Sequence, residues 1–264
     1  MEAEAHHVRF IVEDRVAWIT LNQPGKLNAI PTAGVERLAH IWQHIRDDDA
    51  IWVAVLSATG ERSFCSGIDL GDFEATSAEA QEKDRTDPLV VVGPLHQRCY
   101  KPLIVAVNGL CAGIALDFVT EADVVIAADH ATFFDPHVSI GNVSAHELVQ
   151  LSRRMPLGAV LRMNALGRHE RMTAERAYML GLISEVVPAA QLMERAHQLA
   201  QTVLKNSSCA IQLGKELLMR GLHLSVADAT EIAEDVRTSH IGSPDYLEGP
   251  QAFMDKRTPR WQMR

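Results

Sequence analysis

The chain reads as an α/β protein, with a strand-bearing segment through residue 188 and a helical one from residue 189. Three observations lead there. Leu103–Val107 is an uninterrupted apolar run closed by Asn108-Gly109, as expected of a strand buried on both faces. The run at 52–58, WVAVLSA, has the same character and closes on Thr59-Gly60. Both lead into a small-residue turn and a helix start, so strand, glycine turn and helix recur along the chain. Past residue 189 the apolar residues fall only at helical spacing.

Taken in order, 8–12 and 16–21 predict a hairpin across Glu13-Asp14-Arg15. Residues 22–28 are rich in turn formers and carry Lys26. Val35, Leu38, Ala39, Trp42 and Ile45 then predict an amphipathic helix ending near Asp47. FCSGIDL at 64–70 turns at Ser66-Gly67 into a helix expected to start near Asp69. The polar stretch 75–87 has little apolar period and is expected to be a mobile cover over a pocket. Residues 95–100 are expected to end a helix, with His96 on its surface and Pro102 at its boundary.

After Leu103–Val107 come the turn Cys111-Ala112-Gly113 and an apolar segment enclosing one acid, Asp117. Asp123 introduces a strand at 124–127, and the turn Asp135-Pro136 presents His137. Helices are expected at 144–154 with Ser144 as cap, at 156–166 with Pro156 in its first turn and Gly167 past its end, and from Thr173 to Gly181. Residues 183–187 are a last strand. Three helical stripes follow, on Leu192, Ala196 and Val203, on Ile211, Leu213 and Leu217, and on Val226, Ala229 and Val236. Each needs its apolar face covered, by the same subunit or by a neighbour.

The 264 residues suffice for one large domain with a sizeable core, and 47% hydrophobic with 22% charged residues is ordinary for a globular protein. A net charge of -9 without a basic tract argues against a nucleic-acid surface. No apolar run approaches the roughly 20 residues of a membrane span. Cys65, Cys99, Cys111 and Cys209 have neither CxxC spacing nor a histidine at zinc-ligand distance, so no metal site is expected. The opening MEAEAHHVRF has no apolar signal region, and the expectation is a reduced, cytoplasmic protein.

The chemistry gathers around the two glycine turns. The first N–H groups of a helix lack internal partners and carry partial positive charge, so two such turns side by side offer paired donors to a developing oxyanion. Asp117 and His137 are two titratable groups able to meet beside them. His137 reads as an acid or base, or as a histidine bound to Asp117 or Asp135 for structure alone. His146 and Glu147 read either as pocket residues or as helix surface.

Five segments carry a family resemblance. FCSGIDL resembles the FxxGxDL segment of the crotonase (enoyl-CoA hydratase/isomerase) superfamily, and KPLIVAVNGLCAGIALDF at 101–118 resembles its KPxIAAVNGxxxGGGxEL. LNQPGKLNAI at 21–30 is similar to LNxPxxxNAL, ADVVIAADHATFFDPHVSIG at 122–141 to CDxxxAxxxAxFxxPExxLG, and EGPQAFMDKRTPRW at 248–261 to EGxxAFxEKRxPxF. The resemblance implies a crotonase-like spiral of repeated ββα units carrying an acyl-CoA site over 1–188. Over 189–264 it implies a helical oligomerisation region, hence a homotrimer or hexamer. It implies an acyl-CoA thioester as ligand, with coenzyme A part of the substrate and no separate cofactor.

By position, the oxyanion donors would be the backbone N–H groups of Ile68 and Ile114. Coenzyme A would lie along Lys26, Cys65, Ser66, Gly67 and Gly113, with Lys26 facing phosphate or simply solvated. Asp117 and His137 stand where hydratases of the family carry two glutamates. The departures matter: Ile114 and Ala115 replace two glycines, and Asp117 is a methylene short, which sets its oxygens roughly 1.5 Å back. The leading expectation is hydration of a 2-enoyl-CoA or the reverse dehydration. The alternatives are C–C bond hydrolysis of a 1,3-dicarbonyl compound with His137 activating water, and an inactive acyl-CoA-binding homologue.

Overall fold

The computed structural model describes residues 7–72 and 92–263. The expected cover at 75–87 lies outside them. The hairpin forms as expected: β1 (Val8–Glu13) and β2 (Val16–Leu21) pair antiparallel from Val8↔Leu21 to Glu13↔Val16. Asp14 and Arg15 both sit at positive φ, 47° and 68°. That is the two-residue turn whose twist matches the flanking strands.

From β2 a six-stranded sheet grows in the order β1-β2-β3-β5-β7-β10, with β3 at Val53–Ala58, β5 at Leu103–Val107, β7 at Val124–Ala128 and β10 at Glu185–Val187. All pairs after the hairpin are parallel. Parallel strands are covered on both faces, and this is why they read as continuous apolar runs. One face packs on Leu38, Trp42 and Ile45 of α1 (Thr32–Asp47) and on Leu116 and Phe118 of α2 (Ala115–Glu121). A helix at Leu192–Val203 covers the other, setting Leu192, Ala196 and Ala200 against Val55, Ile104 and Ile126.

A second sheet, β4-β6-β8-β9, holds Ser63–Cys65, Leu110–Ala112, Thr132–Phe134 and Met172–Thr173. Three successive passes of the chain, β3 with β4, β5 with β6 and β7 with β8, thus lay one strand in the large sheet and one in the small sheet, then turn into helix. This is a spiral of ββα units. β3 and β4 lead to helical residues 70–72, and β5 and β6 lead to α2.

Asn28 ties the loop before α1 to this second sheet. Its amide N–H₂ donates to the carbonyls of Thr59 and Ser63, both at 2.9 Å, and its Oδ1 accepts from the Gln23 N–H at 2.8 Å. Asn28→Ala would strand these buried groups and is expected to lower stability by about 2–3 kcal/mol, read from the urea midpoint at unchanged slope.

Several expectations need correction. Residues 95–100 hold one 3-10 turn, Leu95–Gln97, which Arg98 closes at positive φ, rather than the end of an α-helix. The helix expected from Ser144 is α3, His146–Leu151, whose cap is Ala145; the Ser144 hydroxyl goes instead to Glu147 Oε2 at 3.2 Å. Pro156 is the cap residue of α4 (Leu157–Leu166) and stands just outside its first turn. Thr173 does cap α5 (Ala174–Met179), accepting from the Arg176 N–H at 3.2 Å.

The first C-terminal stripe forms α6, Leu192–Val203, which packs on this subunit's own sheet. The other two form α7 (Ser208–Gly221) and α8 (Val226–His240). A fourth helix, α9 (Pro244–Met254), had no apolar stripe to announce it. Its large apolar residues Leu247, Phe253 and Met254 are exposed, and Pro250 lies inside it. Among the described residues, no helix is long and apolar enough to cross a membrane, and all four cysteines are free.

Candidate active site

β4, β6 and β8 run parallel and side by side, so the residues that follow them arrive at one edge of the small sheet. Cys65 pairs with Cys111 and Ala112 with Phe134. The turn at 66–68, the turn at 113–114 and the Asp135-Pro136-His137 turn are therefore neighbours, although up to 71 positions separate them in sequence, from 66 to 137.

In the first turn Gly67 takes φ 110°, a conformation that favours glycine, and the backbone then locks on Ile30. The Ile30 N–H donates to Gly67 O and the Asp69 N–H to Ile30 O, both at 2.9 Å. In the second, Gly113 at φ 58° turns the chain into α2, where the Leu116 N–H donates back to Gly113 O at 2.8 Å. Between these bonds the N–H groups of Ile68 and Ile114 have no backbone acceptor among the described residues.

α2 carries Asp117 in its first turn, between Leu116 and Phe118. The carboxyl is 2% exposed and its Oδ1 is buried without a hydrogen-bond partner among the described residues. Burial first, then the charges of Glu147, Glu121 and Asp135, push Asp117 up to about 8, so it holds its proton at neutral pH.

His137 does not bond Asp117. Its Nδ1 lies 2.6 Å from Asp135 Oδ1, which also accepts the His137 backbone N–H at 3.0 Å. The hydrogen bond to Asp135 raises the imidazole above its ordinary 6.5 against the opposing effect of burial. Burial also acts to raise Asp135, but the bonds from His137 outweigh it and hold Asp135 low. With Nδ1 fixed, Nε2 is left towards Glu147, whose Oε1 is 3.9 Å away. Glu147 is buried, its other oxygen held by Ser144.

These groups line one cavity of about 560 Å³. It brings together Ser66, Gly67, Ile68, Gly113, Ile114, Asp117 and His137 of the expected set. Two expected residues stay outside its lining. Cys65 is fully buried under the first turn, its thiol pushed up to about 12 by burial, and it presents no surface to a ligand. Lys26 is exposed and pairs with Asp69 at 2.6 Å, and that hydrogen bond raises it. His146 and Glu147 both line the cavity, Glu147 buried and His146 also exposed on the surface of α3, while His96 is exposed on its 3-10 turn.

Arg168 and Arg171 line the cavity and were not foreseen. Glu147 was open from sequence as a pocket residue or as helix surface, and its bond from Ser144 follows the Ser-x-x-Glu spacing. The arginines had no signal in the sequence, since only the pairing of β8 with β9 brings Arg171 to this edge.

The chain matches the enoyl-CoA hydratase/isomerase family model over residues 12–264. It is 31% identical to the carnitinyl-CoA dehydratase of Proteus mirabilis over 255 residues, 93% of this chain and 94% of that one. It is also 31% identical to the mevalonyl-coenzyme A hydratase of Aspergillus fumigatus over 249 residues, 92% and 90% of the two chains. Among solved structures, an enoyl-CoA hydratase/isomerase from Mycobacterium paratuberculosis superposes with a TM-score of 0.88 at 40% identity, covering 98% of this chain and 99% of that one. An enoyl-CoA hydratase from Bacillus anthracis gives 0.88 at 26% identity, covering 98% and 100%. The chain belongs to the enoyl-CoA hydratase/isomerase family of the crotonase superfamily.

Proposed function

We propose that the protein adds water to a 2-enoyl-CoA, or removes it in reverse. The observation that carries this reading is a buried acid without a hydrogen-bond partner and an anchored histidine facing one cavity with two backbone N–H groups that lack a backbone acceptor among the described residues. The thioester oxygen accepts from the N–H groups of Ile68 and Ile114, which stabilise the enolate as it forms. Coenzyme A lies along Ser66, Gly67 and Gly113. Its phosphates reach Lys26, which exchanges Asp69 for them.

Water is held between His137 Nε2 and Glu147 Oε1. Their 3.9 Å separation is too long for a direct hydrogen bond and admits one water in contact with both. The water oxygen attacks the β carbon and its proton passes to Nε2, with Nδ1–H donated to Asp135 throughout. Asp117 gives its proton to the α carbon as the enolate collapses. Solvent then returns the proton from His137 to Asp117, and the net change is one water added.

Incubation with crotonyl-CoA is the test, followed by the loss of enoyl-thioester absorbance and by the mass of the hydroxyacyl product. The Asp135–His137 pair also suits water attack on a 1,3-dicarbonyl carbon. Cleavage of a cyclic β-diketone, with crotonyl-CoA untouched, would replace the hydratase reading by that one. Binding of CoA thioesters without turnover of either compound would leave an inactive binder. The exposed Leu218, Leu222 and Val226 on α7, α8 and their connection, with Phe253 on α9, support a homotrimer or hexamer built through the region 189–264, checked by light scattering at micromolar concentration. A cytoplasmic location belongs to the same reading.

Glu147 separates the two half-reactions. Glu147→Gln is expected to slow hydration about a hundredfold. It should leave the exchange of α protons of butyryl-CoA into D₂O, which needs only the ionised fraction of Asp117 as base and the two N–H donors, within a few-fold. Equal loss of both would mean that Glu147 supports the cavity without touching the water.

A further inference from the structure

We infer that the acyl group taken by this cavity ends in an anion, a carboxylate, bound by Arg168 and Arg171; the inference rests on the acyl-CoA reading above. The argument starts from strand order. The small sheet runs β4-β6-β8-β9, so along its edge come the turn at 66–68, the turn at 113–114, the segment from Phe134 to His137, and last Arg171. β8 and β9 pair antiparallel, Phe133 with Met172 and Thr132 with Thr173, which brings Arg171 level with Phe134. Its guanidinium carbon lies 5.1 Å from the centre of the Phe134 ring, within the range in which an aromatic face holds a cation.

Arg168 comes from the 3-10 turn Gly167–His169 and is fixed there by its backbone N–H, which donates to Ser139 Oγ at 3.0 Å. Ser139 belongs to the same short turn as His137. Both arginines line the cavity, and neither guanidinium has a carboxylate partner among the described residues. Nearby Arg162, by contrast, is paired with Glu170. Two cations beside one cavity, neither with a carboxylate partner among the described residues, are a complement to an anionic ligand.

The phosphates of coenzyme A are not that partner in this reading, because they lie at the opposite, β4 end beside Lys26. With the thioester between the β4 and β6 turns, β9 stands two strand spacings beyond β6, about 10 Å. An extended chain of roughly nine bonds covers that distance. A carboxylate there accepts charge-assisted hydrogen bonds from the two guanidinium groups, which a methyl terminus cannot. The cationic trimethylammonium of a carnitinyl group would be repelled at the same place.

The test compares trans-2-decenoyl-CoA with its ω-carboxylate, trans-2-decenedioyl-CoA, in the wild type and in Arg168→Gln/Arg171→Gln. The wild type should favour the ω-carboxylate at least tenfold in kcat/KM, chiefly through KM. The double variant should lose at least tenfold more on the ω-carboxylate than on the neutral substrate. Equal rates in the wild type, or a preference that survives in the variant, overturns the inference. Calorimetry with decanoyl-CoA and its ω-carboxylate keeps the question separate from turnover. If the wild type hydrates neither substrate, the hydratase reading falls. Tighter binding of the ω-carboxylate, abolished in the double variant, would still uphold the anion site, and equal binding would remove it.

Discussion

Asp117→Asn is expected to lower hydration by at least a hundredfold while CoA affinity stays within a few-fold. Asparagine keeps the shape of the side chain and has no carboxyl proton to give. An acid must be protonated to act, so the wild-type rate should fall as pH rises through about 8, the value to which burial and the neighbouring acids push Asp117. The same shift couples to folding. Asp117 is raised from an ordinary 3.8, so between the two values the native chain keeps a proton that the unfolded chain has lost.

The stability linked to that proton is full below the unfolded pKa and declines as pH rises towards about 8. The slope is about 1.4 kcal/mol per pH unit for one proton. Glu121, raised by burial to about 7, acts with the same sign and remains in the variant. Urea titrations across neutral pH should therefore show Asp117→Asn losing stability less steeply than the wild type, by about one proton. Parallel slopes would mean that Asp117 is ionised in the folded protein, and its role as proton donor would go with them.

What was legible in the sequence follows the range of the forces involved. β3, β5 and β7 announced themselves because burial on both faces demands an unbroken apolar run, and Asp117 stood out as an acid in apolar surroundings, whereas Glu121, as deeply buried in the same helix, did not. The strands that assemble the site, β4, β6 and β8, have three residues each, too short to carry a period. Their alignment depends on contacts between distant segments. His137 lines the cavity, and its partner is Asp135, two residues away, rather than Asp117, because the 3-10 turn that starts at His137 folds the ring back on its own turn. Lys26 could not be seen to face Asp69, 43 positions on. Glu147 and Arg171 entered the cavity only through tertiary packing.

His137→Gln is expected to cost at least a hundredfold in hydration, and Asp135→Asn a comparable amount through the histidine. The base must be neutral imidazole with its lone pair on Nε2, and the 2.6 Å bond from Nδ1 to Asp135 selects that tautomer. That bond also raises His137, so the wild-type rate should rise with pH through an apparent value above 6.5 before Asp117 turns it down near 8. The resulting optimum is narrow. In Asp135→Asn the raising bond is lost, so the ascending limb should move to lower pH while the plateau falls, and in His137→Gln that limb should vanish. His137→Glu would place a carboxylate between Asp135 and Glu147, where like charges and burial oppose its ionisation. The family's glutamate is therefore not restored by one substitution, and this variant should stay well below wild type. A pH-rate profile on crotonyl-CoA decides the matter: an ascending limb unchanged in both Asp135→Asn and His137→Gln would show that the imidazole takes no proton in the reaction.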